Sequence, residues 1–295
     1  MIYNFFKFFW HRIVPAEIFS KILFRRFWKY WMNLNNPKTF GEKLQWLKLR
    51  AERYISSDLV DKYKVREYVK KKIGKKYLVP LLKVLDSVSD ITKNNLPNMP
   101  FIIKTNHDSG FGFIFRNIDD HNLETVRSEI EKRMKINHYY HTKEYPYKSV
   151  KPKILVEKLL INEKGNIPND IKIHCFNSVP RFIYCSVERE SKDIRGIFDQ
   201  NFKPLKMTLG KDPSKFKNDD ISKPKQLDLM LQLASKLSKG LPYVRVDIYD
   251  MEDELYFGEM TFFQGSGFDP LFPFEMDKFW GTQLEIDHIK LREKI

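Results

Sequence analysis

The amino-acid sequence predicts an α+β protein that begins with a helical, basic-aromatic extension. Three observations carry this expectation. Val244, Val246 and Ile248 alternate with Arg245, Asp247 and Tyr249, while Leu255, Phe257, Glu259 and Thr261 share one parity, the period-two pattern of half-buried strands. Over residues 16–32, Phe19, Ile22, Leu23, Phe27 and Trp31 instead recur at helical spacing, with Lys21, Arg25 and Lys29 stepping by four. Between these regions, apolar runs are interrupted by polar turns containing Gly, Pro and Asn, as in FIIKTNHDSGFGFIF (residues 101–115).

The elements follow in order. Asn36-Pro37 closes the first region, and Thr39 and Glu42 have capping-box spacing ahead of Leu44, Trp46, Leu47 and Leu49. A helix is expected from Ser57 or Asp58 through Lys72, carrying Asp61, Lys62 and Lys64 and stopped by Gly74. YLVPLLKVL reads as a strand or strand pair and residues 94–100 as a loop. FIIKTNHDSGFGFIF is a strand, a turn with Ser109, Gly110 and Gly112, and a second strand; residues 120–140 are helical and basic. KPKILVEKLLI is a strand ending in Glu157-Lys158-Leu159-Leu160. Strands bearing Cys175 and Cys185 come next, joined by Asn177-Ser178-Val179-Pro180. Residues 211–225 form a polar loop, and the helix PKQLDLMLQLASKLSKG leads into the hairpin at 243–261. There is no internal repeat or heptad pattern.

Composition narrows the function classes. The 295 residues are 42% hydrophobic and 15% aromatic, enough for a substantial core. The 52 Lys+Arg against 38 Asp+Glu leave +14, which favours anionic partners: nucleotides, acidic sugars, anionic lipid or nucleic acid. No nucleic-acid-binding motif accompanies that charge, so nucleic acid is not expected. With two cysteines there is no disulfide framework or C-x-x-C metal cluster, and a cytoplasmic setting is the expectation. MIYNFFKFFWHRIVP is interrupted by Lys7 and Arg12 and ended by Pro15, short of the ~20 apolar residues of a spanning helix. It carries no A-x-A-like cleavage site. Residues 1–32 read equally as an interfacial segment on an anionic membrane or as a helix docked on its own domain.

The chemistry-bearing residues concentrate at 243–273. Arg245, Asp247 and Glu259 lie on one hairpin, followed by the small-residue turn Gly265-Ser266-Gly267. A five-residue connection, Asp250 to Glu254, sets Arg245 opposite Glu259; a four-residue loop would turn Glu259 to the other face. We expect the former. A cation and two carboxylates on one face suit a Mg-nucleotide site, and they equally suit a cross-strand ion pair.

Taken in order, VDKYK, FIIKTN, the Ser109-Gly110 turn, EKLL and the Arg245–Glu259 hairpin resemble the ATP-grasp superfamily over about residues 57–275. NPKTFGEKLQWLKL, DIKIHCFNSVPRFI and FGEMTFFQGSGF resemble its TupA-like branch, associated with bacterial surface-polysaccharide biosynthesis. The resemblance implies an ATP-grasp fold, two α+β subdomains clasping ATP, with Mg²⁺. It gives Lys62 and Lys104 as phosphate-binding lysines and Ser109 and Gly110 as the phosphate-covering turn. Glu157, Lys158, Leu159 and Leu160 become the adenine hinge, and Asp170 the ribose carboxylate. Lys172 would face the phosphates or the acceptor. Arg245 would stabilise the transferring phosphoryl group, while Asp247 and Glu259 would ligate metal. Thr261 stands where most members have Asn, which makes a second metal ligand shorter. The implied organisation is an extension over residues 1–56 and an ATP-grasp domain over 57–295. Within the latter fall a pre-ATP-grasp region at 57–100, a first subdomain at 101–160 and a second, with the metal site, at 161–295.

The implied reaction is ATP-dependent amide formation between a carboxylate and an amine through an acyl phosphate, releasing ADP and phosphate. A hexuronic acid or acidic glycan precursor is the expected carboxylate. A kinase-like ATP-grasp phosphotransferase acting on a sugar and a polysaccharide glycosyltransferase are the alternatives.

Overall fold

The computed structural model describes residues 12–286, apart from 164 and 211. The apolar stretch through residue 11 therefore lies outside the described residues. Helix α1 spans Ala16–Trp28 and stops before residue 32 because Lys29 turns left-handed, with φ 68°. Its apolar residues divide between two sides. Phe19, Phe24 and Trp28 are buried with Met32 and Phe268, with Leu23 and Phe27 packed against them, whereas Ile18, Ile22 and Trp31 face outward. One face of α1 is thus docked on the chain's own body.

Helix α2, Phe40–Lys48, begins with the capping box that the spacing predicts: Thr39 Oγ1 accepts from the Glu42 amide, and the Glu42 carboxylate accepts from the Thr39 amide. Trp28 lies so close over Gly41 that a Cβ there would come within 2.5 Å of the indole.

The continuous helix expected over 57–72 is broken. Residues Ser57–Leu59 form one 3₁₀ turn, and helix α3 starts only at Val65, running to Lys72. Asp61 is the cause, because its Oδ1 accepts from the amides of Tyr63 (2.9 Å) and Lys64 (3.3 Å), a local bond that competes with helix formation. The Lys62 amide is donated instead to Asn106 O at 2.9 Å, which fixes Lys62 beside the 106–112 turn.

Two antiparallel sheets frame the molecule. The first has strands β1 (Leu81–Leu85), β2 (Phe101–Thr105), β3 (Phe113–Phe115) and β4 (Ile154–Lys158) in the order β1-β4-β2-β3. Helix α4 (Leu123–Met134) closes a core of Phe101, Ile103, Phe115, Val126, Ile130 and Val156, and the short α5 (His138–Thr142) follows it. The second sheet contains β5 (Asn169–Phe176), β6 (Val179–Val187) and β7 (Ile194–Asp199). The β5–β6 connection is tighter than expected: Asn177 and Ser178 alone make it, at φ 50° and 70°, so that Val179 and Pro180 already belong to β6. After β8 (Thr208–Leu209) and helix α6 (Leu227–Leu237), strands β9 (Tyr243–Asp250) and β10 (Leu255–Thr261) complete this sheet in the order β10-β9-β5-β6-β7. Strand β11 (Leu271–Phe272) pairs with β8, and helix α7 (Phe274–Gln283) packs beside α2. Among the described residues no helix is long and apolar enough to cross a membrane.

Candidate active site

The five-residue connection expected in the β9–β10 hairpin is replaced by a four-residue one, Met251–Glu254, because Leu255 pairs with Asp250. By register alone this would put Gly258 opposite Asp247 and send Glu259 to the far face. A β-bulge between Phe257 and Glu259 adds one residue and restores the face, leaving Glu259 opposite Asp247 and Thr261 opposite Arg245. Gly258 carries the bulge against its neighbour; a Cβ there would meet Asp247 O at 3.2 Å and the Tyr249 ring at 3.3 Å.

Strand β5 pairs with β9 so that Lys172 lies opposite Asp247 and His174 opposite Arg245. These neighbours make one buried charge network. Arg245 donates through Nε to Asp247 Oδ1 and through Nη2 to Oδ2, both at 2.6 Å, and Nη2 also reaches Glu259 Oε1 at 2.9 Å. Lys172 Nζ bridges Asp170 Oδ2 and Asp247 Oδ2, the latter at 2.9 Å. Burial pushes the Asp247 carboxyl up, against the pull of Arg245 and Lys172. Burial acts the same way on Glu259, but there Lys62, Arg245 and Lys172 prevail and hold it down at about 2.

The remaining predicted positions surround this network. Lys62 donates to the Asp108 carbonyl, and Lys104 pairs with Glu157 Oε2 at 2.5 Å. Glu157 also meets Arg66 at 3.4 Å, so its side chain is held by two cations. The Lys158 and Leu159 amides are bonded to Pro80 O and Pro100 O, which excludes them as hydrogen-bond donors to a ligand in this conformation. Lys104, Lys158 and Leu160 line a cleft with Tyr249 and Arg189. Asp170 is buried, with Oδ1 enclosed and lacking any hydrogen-bond partner, while Oδ2 lies 4.0 Å from Nη2 of Arg189. In the 106–112 turn the Ser109 amide is bonded to Asp108 Oδ1 at 2.7 Å, Gly110 takes φ 66°, and Arg133 pairs with Asp108. Thr261 Oγ1 donates to Glu259 Oε1 at 2.9 Å.

Cys175 and Cys185 are buried free thiols, pushed up to about 12 and above the usual range by burial. His174 is buried, stacked on Phe182 and hydrogen-bonded to Tyr243. Sequence reasoning missed Arg66, Asp108, Arg133, Arg189 and Gln264, the last of which accepts from Arg245 Nη1. Only the surplus of basic residues hinted at the arginines, because Arg66 meets Glu157 across 91 positions and Arg133 meets Asp108 across 25.

A family model described as TupA-like ATP-grasp matches residues 42–285. The chain belongs to the TupA-like ATP-grasp family. Solved ATP-grasp ligases are among the structures it is similar to, at low identity. The D-alanine–D-alanine ligase of Helicobacter pylori is 17% identical over 83% of this chain and 69% of its own, with a TM-score of 0.46. That of Bacillus anthracis, complexed with ATP, is 13% identical over 69% and 53%, with a TM-score of 0.39. The ATP-grasp ligase PsnB, complexed with a precursor variant, Mg and ADP, is 12% identical over 70% and 50%, with a TM-score of 0.35. The chain thus spans about half the length of the last two. None of the curated proteins compared matches it.

Proposed function

We propose that this TupA-like ATP-grasp protein is an ATP-dependent carboxylate–amine ligase. The observation that carries the reading is the convergence of Arg245, Lys172, Asp247 and Glu259 on one sheet face, with Lys62 acting electrostatically on Glu259. Its donor chemistry fits Mg²⁺, which favours one or two carboxylates plus substrate phosphates over an all-protein cage. Asp247 and Glu259 would hold the ion, with Thr261 steadying Glu259. When bound, Mg²⁺ would draw charge from the transferring phosphoryl oxygens.

The chain's own residues would do the rest. Lys62 and Lys104 supply cations along the phosphates, and the Ser109-Gly110 turn covers them once the Ser109 amide exchanges Asp108 for phosphate. The Lys158 carbonyl and Leu160 amide hold adenine, with Glu157 fixing Lys104 beside it. Asp170, whose enclosed Oδ1 has no hydrogen-bond partner, would accept from a ribose hydroxyl once the cleft moves to uncover that atom. Lys172 and Arg245 then stabilise charge as an acceptor carboxylate oxygen attacks the γ-phosphorus and ADP leaves. The amine attacks the resulting acyl carbon, phosphate departs, and an amide remains.

A hexuronic acid or acidic glycan precursor for capsule or cell-surface polysaccharide is our proposed carboxylate, supported by the family branch and the +14 charge. The work would take place at the cytoplasmic face of the membrane, touched by the outward side of α1, where Ile18 and Ile22 stand with Arg25 and Arg26, and by the exposed Lys29 and Trp31 just after it. Hydroxylamine tests the reaction class: with Mg-ATP and a panel of uronic acids, it should trap an activated carboxylate as a hydroxamate. ADP formation without hydroxamate across acceptors that stimulate turnover would reject the ligase reading.

A further inference from the structure

Lys48 and Glu144 are almost wholly buried, at 1% and 6% exposure, and both end on Ser266. Lys48 Nζ donates to the Ser266 carbonyl at 2.9 Å and lies 4.1 Å from the Phe268 ring centroid. Glu144 Oε1 accepts from the Ser266 hydroxyl at 2.7 Å. Gln45 Nε2 adds bonds to Ser266 O (3.2 Å) and Gly267 O (2.7 Å), and Trp28 Nε1 one to Gly267 O (3.3 Å). One short loop is therefore gripped from α1, from α2 and from the segment after α5.

The grip has a physical reason. Gly265, Ser266 and Gly267 all take left-handed backbone angles, φ 52°, 56° and 75°, and a non-glycine residue there costs ~1–3 kcal/mol, sustained only when its surroundings over-determine it. A loop needing only stability could be held by apolar packing, which serves as well as a buried charge pair. Here the adjoining residue, Gln264, accepts a hydrogen bond from Arg245 Nη1, so the loop's placement reaches the guanidinium at the centre of the charge network. Burial pushes the Lys48 ammonium down and the Glu144 carboxyl up, against their mutual attraction.

We propose that Lys48 and Glu144 are a positioning pair for Arg245: they clamp Ser266 from its carbonyl and hydroxyl sides, and Gln264 passes that placement to the guanidinium. The inference rests on Arg245 meeting the transferring phosphoryl group.

A phosphoryl mimic separates positioning from folding. Calorimetry on the full chain would compare affinity for Mg-ADP alone with that for Mg-ADP plus aluminium fluoride. The parent should gain affinity with the mimic, and Arg245→Ala should lose the gain. Lys48→Met and Glu144→Gln should leave Mg-ADP affinity within about twofold and reduce the gain by about tenfold, with the double variant no worse than the poorer single because both act through one loop. Ser266→Ala, which removes only the Glu144 arm, and Gln264→Leu, which removes the link to Arg245 shared by both arms, introduce no new charge and should reproduce the loss even if a Lys48 variant does not fold. Lys48→Arg, which keeps the cation, should recover part of it.

A full gain in Ser266→Ala and Gln264→Leu, with Arg245→Ala defective, would overturn the positioning role while leaving the role of Arg245 intact. A full gain in Arg245→Ala, or no gain in the parent, would overturn the reading on which the pair depends.

Discussion

Glu259 stands directly opposite Asp247 although the connection between their strands has the wrong length to put it there. The bulge at Gly258 corrects the parity, bringing the Glu259 carboxylate within 2.9 Å of the guanidinium that clasps Asp247. Gly258→Val should push on the Asp247 backbone and the Tyr249 ring, spread the two carboxylates, and weaken Mg-ATP binding by about 1.4 kcal/mol, tenfold in Kd. Gly258→Ala should do so less. Calorimetry giving parental Kd values for both would show that the bulge does not set the site.

Asp247→Asn and Glu259→Gln should each reduce Mg-ATP affinity, for different structural costs. Asp247 is buried under Arg245 and Lys172, so neutralising it leaves two cations short of a partner and should destabilise the fold by about 3 kcal/mol. Glu259 has a side-chain exposure of 32% and should cost less. Denaturant midpoints measured beside calorimetric Kd values check both. Equal stability loss, or unchanged Mg-ATP affinity in either variant, would contradict this assignment.

Some of the elements that frame the candidate site were legible in the sequence. Thr39 and Glu42 form the box their spacing announces, and alternation in 243–261 located the hairpin because half-buried strands must alternate. The bulge was not legible, since one extra residue leaves no periodic trace in a seven-residue strand. The helix expected across Lys62 failed for a local reason, the Asp61 side chain satisfying amides that a helix would have used. Lys48, Glu144 and Ser266 meet across 218 and 122 residues of chain, a contact that helical or strand periodicity cannot register.

Asp277 offers a pH test of how the amino-terminal helices are attached. It is wholly buried, accepts from the Gly41 amide at 2.8 Å, and is raised to about 6 by burial, which outweighs its hydrogen bonds with Gly41, Thr39 and Tyr30. Between its ordinary value and about 6 the folded chain keeps a proton that the unfolded chain loses, so stability should fall as pH rises from about 4 to about 6. The shift corresponds to about 3 kcal/mol. Asp277→Asn should remove that part of the slope in urea midpoints; identical slopes in parent and variant would refute it.

The outward face of α1 can be tested without removing the helix. Deleting residues 1–32 would strip Phe19, Phe24 and Trp28 from their contact with Phe268, so the informative change is Ile18→Glu with Ile22→Glu and Trp31→Ser. This variant should keep the parental melting temperature and lose co-sedimentation with vesicles containing phosphatidylglycerol. Undiminished co-sedimentation would remove the membrane contact.

The central claim is that a carboxylate is activated by phosphoryl transfer and then captured by an amine. Oxygen-18 placed in the acceptor carboxylate tests it most directly. The account predicts ADP, phosphate and amide in equal amounts, with one labelled oxygen carried into the released phosphate. The carboxylate oxygen that attacks phosphorus must leave with it. Unlabelled phosphate alongside confirmed amide, or a stable phosphate ester that retains the acceptor oxygen, would contradict the mechanism.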